Sequence, residues 1–454
     1  MSNRNEGKDL TTGVVWKRLL LFFLPIAAGT CIQQLYNTVD GLIVGRFVGT
    51  AALASVGGSS AQIINLLIGF FVATTAGASV VIAQVYGAGR AEDVRVVAVN
   101  AMMVFAALGL ILMGIGLIAS PAMLAVLHTP ADTMEGSVLY LRIYFLGVPF
   151  ILLLNMESNM LRSVGDSFSP FLFMLAGCLV NIVLDIVFVV FFHWGIAGVS
   201  IATVTAQIVN MALLTYRLTH TNEPYRLSFK KIEFNGVYLA NMVRLGLPAG
   251  LQNSMYAVSN MIIQVGVNSL GTVVVASWAM TSKTDGIYWA VSNALGTAIT
   301  SFIGQNMGAG KQNRVKECVR QGMILSLLFS LILSTLIMLA GKPILGILTH
   351  DGAVVRTTYE MMSYFVPFYF TWSVIEVLSA VLRGAGDAVR PVVIIGVGIC
   401  LFRIVWIFTA FRWFHTLPVL CASYPASWAL TDIALIVYFR KGKWMEQGRW
   451  IIEK

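Results

Sequence analysis

Charged residues are scarce in this chain of 454 residues. Lysine, arginine, aspartate and glutamate together make up 11% of it, whereas an ordinary soluble domain carries about 25%. Hydrophobic residues make up 57%. This composition excludes a soluble globular domain and indicates a protein that lies in a lipid bilayer.

Paired cysteines are also missing. The five cysteines stand singly among apolar residues, and no C-x-x-C pair occurs. Neither a disulfide framework nor a zinc site is indicated, so we interpret them as small hydrophobic side chains. No H-E-x-x-H or nucleophile-elbow motif is present. We therefore predict that the protein is not an enzyme and has no cofactor.

Apolar runs fill the chain from Leu19 to Tyr438 with only short polar breaks. A run of about 20 apolar residues can cross the hydrocarbon core as a helix, and we identify twelve such runs. A cleaved signal peptide is not expected, because the first run is longer than a typical h-region. The sequence therefore predicts an all-α integral membrane protein with twelve transmembrane helices.

The positive residues predict how the chain crosses the membrane. Most of the 30 lysines and arginines fall in the N-tail, the C-tail and alternate loops, whereas the opposite loops carry only Arg46, Arg142, Lys342, Arg356 and Arg412. Positive loops stay in the cytoplasm, so both termini are predicted to be cytoplasmic. The net charge of +9 thus reports topology, and we expect no nucleic-acid partner.

The chain repeats itself. FLPIAAGT from Phe23 matches GLPAGLQN from Gly246, IAQVYGAGR from Ile82 matches IGQNMGAGK from Ile303, and LRSVGDSFSP matches LRGAGDAVRP. The separation between copies is nearly constant. Two six-span halves with the same orientation must be parallel repeats, related by a pseudo-two-fold axis along the membrane normal, with substrate expected between them.

This duplication predicts the domain limits. We expect a cytoplasmic N-tail at 1–18, an N-terminal six-helix bundle at 19–217, a cytoplasmic linker at 218–236, a C-terminal six-helix bundle at 237–440 and a cytoplasmic C-tail at 441–454.

With its doubled L-R-x-x-G-D and G-A-G-[RK] elements, the sequence resembles the multidrug and toxic compound extrusion (MATE) family of bacterial transporters. The resemblance implies a secondary antiporter in the inner membrane. Such a protein expels organic cations and amphipathic drugs against inward sodium ions or protons.

A carboxylate inside lipid is costly, so such a residue normally faces the bundle interior and has partners. Gln33, Asn37 and Asp40 are spaced i, i+4, i+7 and share one helical face, and Asn181 and Asp185 are spaced i, i+4 in the fifth span. At 1.5 Å per residue, Asp40, Asp185 and Thr203 lie roughly 8, 10 and 12 Å below the outer boundary. The sequence predicts that these side chains meet.

The resemblance assigns the coupling-cation site to Asp40, Asn181, Asp185 and Thr203. Their oxygen atoms would hold sodium if the protein is sodium-coupled, while two close carboxylates can instead share a proton. The residues themselves leave sodium and proton open. The resemblance also implicates Pro25 as a hinge, with an ordinary proline kink as the alternative.

The internal repeat is a control on this assignment. The C-terminal positions equivalent to Asp40, Asn181, Asp185 and Thr203 hold the apolar or aromatic residues Ile263, Phe402, Trp406 and Tyr424. The fold therefore does not require acids at this depth, which favours a functional role for the N-terminal set.

The C-terminal half has its own polar residues within its spans: Asn260, Gln264, Lys283, Asp285, Glu376 and Arg403. We expect the four charged ones to neutralise each other as ion pairs. The alternative is that these six residues, together with Gln33 and Asn37, face the substrate. Aromatic residues in the spans, among them Trp278, Trp289 and Trp372, are expected to be packing residues or to stack on planar cations.

We therefore expect a monomeric multidrug exporter whose partners are small organic cations, amphipathic drugs and membrane lipid. The chief alternative is an exporter of a lipid-linked precursor or a native metabolite. A channel or a membrane-embedded enzyme is less consistent with the sequence, since no catalytic set is found.

Overall fold

The structure, a computed structural model, describes residues 9–223, 225–228, 233–349 and 351–447. Helices dominate the described chain. The N-terminal half contains α1 (Val15–Ile43), α2 (Thr50–Gly57), α3 (Ser59–Ile63), α4 (Gly69–Gly87), α5 (Ala91–Val126), α6 (Ala131–Ser163), α7 (Phe168–Asp185) and α8 (Gly195–Thr219). Three wider π-helical turns, Val44–Val48, Ile64–Ile68 and Ile186–Phe191, continue these helices.

The C-terminal half repeats this order. It contains α9 (Gly236–Ser269), α10 (Thr272–Thr284), α11 (Gly286–Gly308), α12 (Gln312–Leu348), α13 (Gly352–Phe365), α14 (Tyr369–Gly384), α15 (Val389–Ile395), α16 (Phe402–Trp406), α17 (Arg412–Phe414), α18 (Leu417–Lys441) and α19 (Trp444–Gln447). The turns Gly396–Leu401 and Ile407–Phe411 are π-helical, and Val366–Phe368 is a 3₁₀ turn.

The predicted all-α membrane fold with two six-span halves is confirmed. Among the described residues, ten helical segments are long and apolar enough to cross a membrane. The other two predicted spans are the helical stretches α9 and α10–α11, which contribute amide side chains such as Gln252, Asn253 and Asn293 to the lining of a central cavity. The predicted limits of the bundles and tails stay predictions.

Equivalent helices pack in equivalent ways in the two halves. In the N-terminal half, α6 packs against α4, α5 and α8. In the C-terminal half, α14 packs against α11, α12 and α18. Between the halves, α4 contacts α9 while α11 contacts α1, and α4 also contacts α11. A pseudo-two-fold axis between α4 and α11 relates the contact of α4 with α9 to the contact of α11 with α1.

The repeated sequence elements meet at one end of this interface. Gln84 donates from Nε2 to the carbonyl oxygen of Gly384 over 2.9 Å, and Gln305 donates to that of Ser163 over 2.7 Å. Each glutamine lies three residues before a G-A-G element, and its side chain contacts the L-R-x-x-G-D element of the other half. We call these four residues the cross-bundle lock.

The N-terminal tail lies at the same end, which we call the terminal side. The backbone nitrogen of Leu10 donates to Oε1 of Gln305 over 3.1 Å. Arg314 donates to the carbonyl oxygens of Gly13, Thr12 and Leu10. The terminal side is therefore sealed by both halves and by the tail.

Candidate functional site

Asp40, Asn181 and Asp185 meet inside the N-terminal half. One terminal atom of the Asn181 amide lies 2.9 Å from Oδ1 of Asp40 and 3.3 Å from Oδ2 of Asp185. Hydrogen bonding assigns the amide nitrogen to that position, so that Asn181 donates to both carboxylates. The two carboxyl groups also lie beside each other. We call these three residues the carboxylate cluster.

The helices place this cluster at the start of irregular backbone. Asp185 is the last residue of α7, and the π-helical turn Ile186–Phe191 follows it. Asp40 is three residues before the end of α1, which continues into the π-helical turn Val44–Val48. Such wider turns are frequent at functional sites. The i, i+4 spacing keeps Asn181 and Asp185 on one face of α7.

Two residues of the cluster are shielded from bulk water, and Asp40 is half-buried. Asp185 is fully buried and Asn181 is 1% exposed, and Oδ1 of Asp185 has no hydrogen-bond partner among the described residues. Tyr36 and Tyr140 lie close enough to interact electrostatically with Asp40. Neither tyrosine was assigned to this site from the sequence, although Tyr36 is one turn before Asp40 on α1.

Thr203 borders this cluster without joining its hydrogen bonds. Its hydroxyl donates to the carbonyl oxygen of Val199 over 3.0 Å within α8 and lies beside Tyr36. The structure thus brings three of the four predicted residues into direct contact. The fourth, Thr203, is separated from them by Tyr36. Their function as a coupling site stays a prediction.

The equivalent region of the C-terminal half is apolar. Ile263, Val267, Ile407, Phe411 and Leu420 form a buried hydrophobic cluster there, with Trp406 and Tyr424 packed against it. The same fold therefore holds a hydrocarbon core in one half and two carboxylates in the other. The N-terminal acids are not a requirement of the architecture.

The remaining predicted residues of α1 lie apart from the cluster. Gln33 and Asn37 are exposed, and neither lines the central cavity. Pro25 lies within α1, which runs unbroken from Val15 to Ile43. The polar face predicted from Gln33, Asn37 and Asp40 thus buries only its last residue in part, and the hinge role of Pro25 stays a prediction.

A cavity of about 880 Å³ lies between the halves. That size is typical of a site for a drug-sized molecule. From the N-terminal half it is lined by small and polar residues of α4 and α6, such as Ser79 and Asn159. From the C-terminal half it is lined by Asn260, Gln264, Asp285, Glu376, Arg403 and an aromatic wall of Trp278, Trp289, Trp372, Tyr424 and Trp428.

The predicted ion-pair network among the four C-terminal charges is wrong. Glu376 pairs with Arg383 at 3.3 Å, while Asp285 accepts from Trp289 over 3.1 Å and from Tyr369 over 3.0 Å. Lys283 is exposed and does not line the cavity.

Arg403 stacks on the ring of Tyr424 and pairs with none of the predicted acids. Aromatic side chains of other helices occupy the space between the charges, and helical periodicity does not reveal such an arrangement.

Sequence reasoning missed a buried acid on α6. Glu157 on α6 is fully buried and accepts from Oγ1 of Thr215 on α8 over 2.5 Å. Its Oε2 has no partner among the described residues. A single carboxylate within an apolar span is itself the signal that marks such a residue.

We expect Thr215→Val to lower the free energy of unfolding by about 1–3 kcal/mol, the cost of leaving a buried polar group unpaired. Thermal unfolding of the purified protein in detergent measures this effect. Thr38→Val is the control, because the Thr38 hydroxyl is exposed and donates only within its own helix, to Gln34. Equal midpoints for the two variants would contradict the proposed importance of the Thr215 hydroxyl.

The carboxylate cluster is suited to a monovalent cation rather than to a multidentate metal centre. In the described part of the chain, no three His, Cys, Asp or Glu side chains gather as a metal site would need. Two carboxylates with an amide between them can bind a proton or a sodium ion and can release it again.

Comparison with known proteins agrees with this arrangement. The MatE family model matches residues 25–187 and again residues 248–409, which are the two copies of the repeat. The probable multidrug resistance protein YpnP of Bacillus subtilis is 28% identical over 443 residues, covering 96% of this chain and 97% of that protein. The FAD transporter of Shewanella oneidensis is 24% identical over 366 residues, covering 79% and 78%.

The fold has close counterparts among solved structures. An outward-facing conformation of a multidrug resistance MATE family transporter of the MOP superfamily superposes with a TM-score of 0.89 at 19% identity, covering 99% of both chains. The twelve-span architecture, the doubled family match and these relatives lead to one conclusion: this multi-pass membrane protein belongs to the MatE family of transporters.

Proposed function

We propose that this protein is a secondary active multidrug exporter that moves organic cations and amphipathic compounds out of the cell in exchange for inward sodium ions or protons. The observation that carries the proposal is the position of the Asn181 amide, within hydrogen-bonding distance of Asp40 and Asp185. The site has the carboxylates needed to bind a cation and an amide that can hydrogen-bond to them when the cation is absent.

The Asn181 amide can present either of its ends to the carboxylates. With its nitrogen turned toward them it donates to both, which compensates for an empty site. With its oxygen turned toward them the cluster offers only acceptors, a set that requires a cation. Rotation of one amide group thus exchanges a self-satisfied site for a cation-binding one. The buried surroundings make the bound and empty states energetically distinct.

Export requires that cation binding and cavity access depend on each other. A cation changes the conformational equilibrium only if it binds the two states with different affinity. The cluster lies within the helices of one half, among α1, α7 and α8, and α1 also contacts α11 of the other half. Rearrangement of α1 on cation binding would therefore act directly on the interface.

The cellular setting follows from the charge distribution. We infer from the positive loops that the terminal side and both termini face the cytoplasm, and the bacterial relatives support a location in the bacterial inner (cytoplasmic) membrane. We expect it to act as a monomer, since each chain contains both halves and the cavity between them.

The experiment is ethidium efflux from reconstituted vesicles under an imposed sodium gradient or an imposed proton gradient. We expect one gradient to drive transport in the natural protein and Asp40→Asn to abolish it, because the neutral amide cannot exchange a cation. Asp132→Asn is the matched control, since Asp132 is exposed at the start of α6. The gradient that works identifies the ion.

Two outcomes contradict the proposal in different ways. If neither gradient drives export of ethidium by folded protein, the multidrug assignment is wrong. If Asp40→Asn remains coupled to the gradient like Asp132→Asn, the export function stands and the coupling site is elsewhere.

A second candidate function is export of a native metabolite, including a lipid-linked precursor. A relative named as an FAD transporter supports this candidate, and a positive residue, Arg403, lines the cavity of this protein. Transport of an anionic metabolite under the same gradients, without transport of ethidium, would favour this candidate.

A further inference from the structure

Arg403 is a buried cation in the wall of the central cavity. It lies on α16, is 4% exposed and lines the cavity. A charged side chain in this setting is costly unless it has partners. The partners that the chain supplies are therefore informative about what the cavity is built to hold.

Neighbouring residues fix one edge and one face of the guanidinium group. Its Nε donates to Oγ of Ser427 over 3.0 Å. Its central carbon lies 3.8 Å from the ring centroid of Tyr424 and 5.9 Å from that of Trp428, and Trp428 is itself fully buried. These contacts hold the plane of the group in one orientation.

The two terminal nitrogens of Arg403 remain available. Neither donates a hydrogen bond to a described residue, and the Arg403 side chain lines the cavity. The acids that line the cavity have other partners: Glu376 pairs with Arg383, and Asp285 accepts from Trp289 and Tyr369. No carboxylate of the described chain lies within ion-pairing distance of Arg403.

A planar guanidinium fork with two unpaired nitrogens matches a carboxylate or a phosphate, which it can bind through two parallel hydrogen bonds. We propose that Arg403 is an oxyanion-binding subsite and that the cavity takes aromatic compounds carrying a carboxylate or phosphate group. The proposal rests on the export function proposed above and defines a substrate class beyond organic cations.

The aromatic wall defines the other part of the ligand. Tyr424 and Trp428 contact Arg403, and Trp428 continues to Trp372 and Trp289 with ring centroids 6.2 and 6.4 Å apart. A planar ring can stack along this wall while its oxyanion reaches the guanidinium. The combination is more selective than either feature alone, since a free oxyanion lacks the stacking surface.

Binding to the purified full-length protein in detergent tests the proposal without any gradient. Isothermal titration calorimetry compares riboflavin with riboflavin 5′-phosphate, and 1-pyrenebutanol with 1-pyrenebutyrate. Each pair shares its ring system and differs mainly in the oxyanion. We expect the anionic member of at least one pair to bind about 10- to 100-fold more tightly, as charge-assisted hydrogen bonds predict. The pair that shows the larger difference distinguishes phosphate from carboxylate.

Arg403→Gln should remove this difference between the two members of each pair. Arg403→Lys keeps the charge without the fork and should retain only part of the difference. Arg412→Gln is the matched control, because Arg412 is exposed and does not line the cavity.

The proposal is overturned if the natural protein binds both members of both pairs equally, or if the preference persists in Arg403→Gln. The first of these results is measured on the natural protein alone. The proposal can therefore be overturned even if Arg403→Gln does not fold. If the protein prefers the anionic ligands through Arg403 but exports nothing under either gradient, the proposed function is wrong and the oxyanion subsite stands.

Discussion

Gly308→Val is expected to abolish transport by preventing closure at the terminal side. A Cβ atom at Gly308 would overlap with the backbone carbonyl of Gln84, and one at Gly87 would overlap with that of Gln305. Backbone cannot yield as a flexible side chain can. Overpacking costs about 1–3 kcal/mol. If it is confined to the state that is closed at this end, it shifts the conformational equilibrium roughly 5- to 150-fold.

The shift can be measured as a distance between the halves. Spin labels on cysteines introduced at Glu92 and Asn313, in the first turns of the equivalent helices α5 and α12 on the terminal side, report the separation by pulsed electron paramagnetic resonance. We expect Gly308→Val to populate a longer distance than the natural protein. Gly114→Val is the control, because nothing lies within 4 Å of a Cβ at that position of α5.

Unchanged distances and unchanged ethidium export in Gly308→Val would show that the close approach is not needed for the transport cycle. Loss of transport with an unchanged distance would place the defect in folding or in the substrate path instead. The glutamines of the cross-bundle lock lie beside both glycines, so closure also orders the hydrogen bonds to Gly384 and Ser163.

Asn181→Ala is expected to reduce gradient-driven export roughly 100-fold while substrate binding in the cavity is retained. A hydrogen bond to a charged group contributes about 1.5–3 kcal/mol, and the Asn181 amide is placed to donate two of them. Without this donor the buried carboxylates have nothing to replace a departing cation. Loss of the donor destabilises the empty site, so release of the cation should be slower.

Export rates measured against sodium or proton concentration, together with calorimetric binding of ethidium, separate these two effects. Asn155→Ala is the matched control, because the Asn155 amide donates to Ile151 within its own helix over 2.8 Å. Parallel losses of ethidium binding and export in Asn181→Ala would contradict a role confined to the cation.

The sequence was sufficient for the architecture because its signals are local or repeated. Apolar runs of membrane length predicted the spans, and matching motifs predicted two equivalent halves. The i, i+4 spacing of Asn181 and Asp185 put both on one face of α7. Helical rise placed Asp40 at a similar depth. These quantities depend on position along a helix, which the sequence contains directly.

The sequence was not sufficient where partners come from different helices. Glu376 and Arg403 share the cavity, yet Glu376 pairs with Arg383 seven residues further along the chain. Arg403 instead contacts aromatic rings of α18. Periodicity shows which face of a helix is buried, but rotation and offset between helices decide which side chains touch.

The glutamines of the cross-bundle lock illustrate the same limit. Their motifs were recognisable from the sequence as repeats. Only the pseudo-two-fold packing of α4 and α11 brings Gln84 to Gly384 and Gln305 to Ser163. The sequence by itself thus determined the spans, the duplication and the candidate acids of this protein. Tertiary packing decided which groups meet. Hydrogen bonds and close backbone contacts between separate helices form or fail on differences of a few tenths of an ångström in interatomic distance.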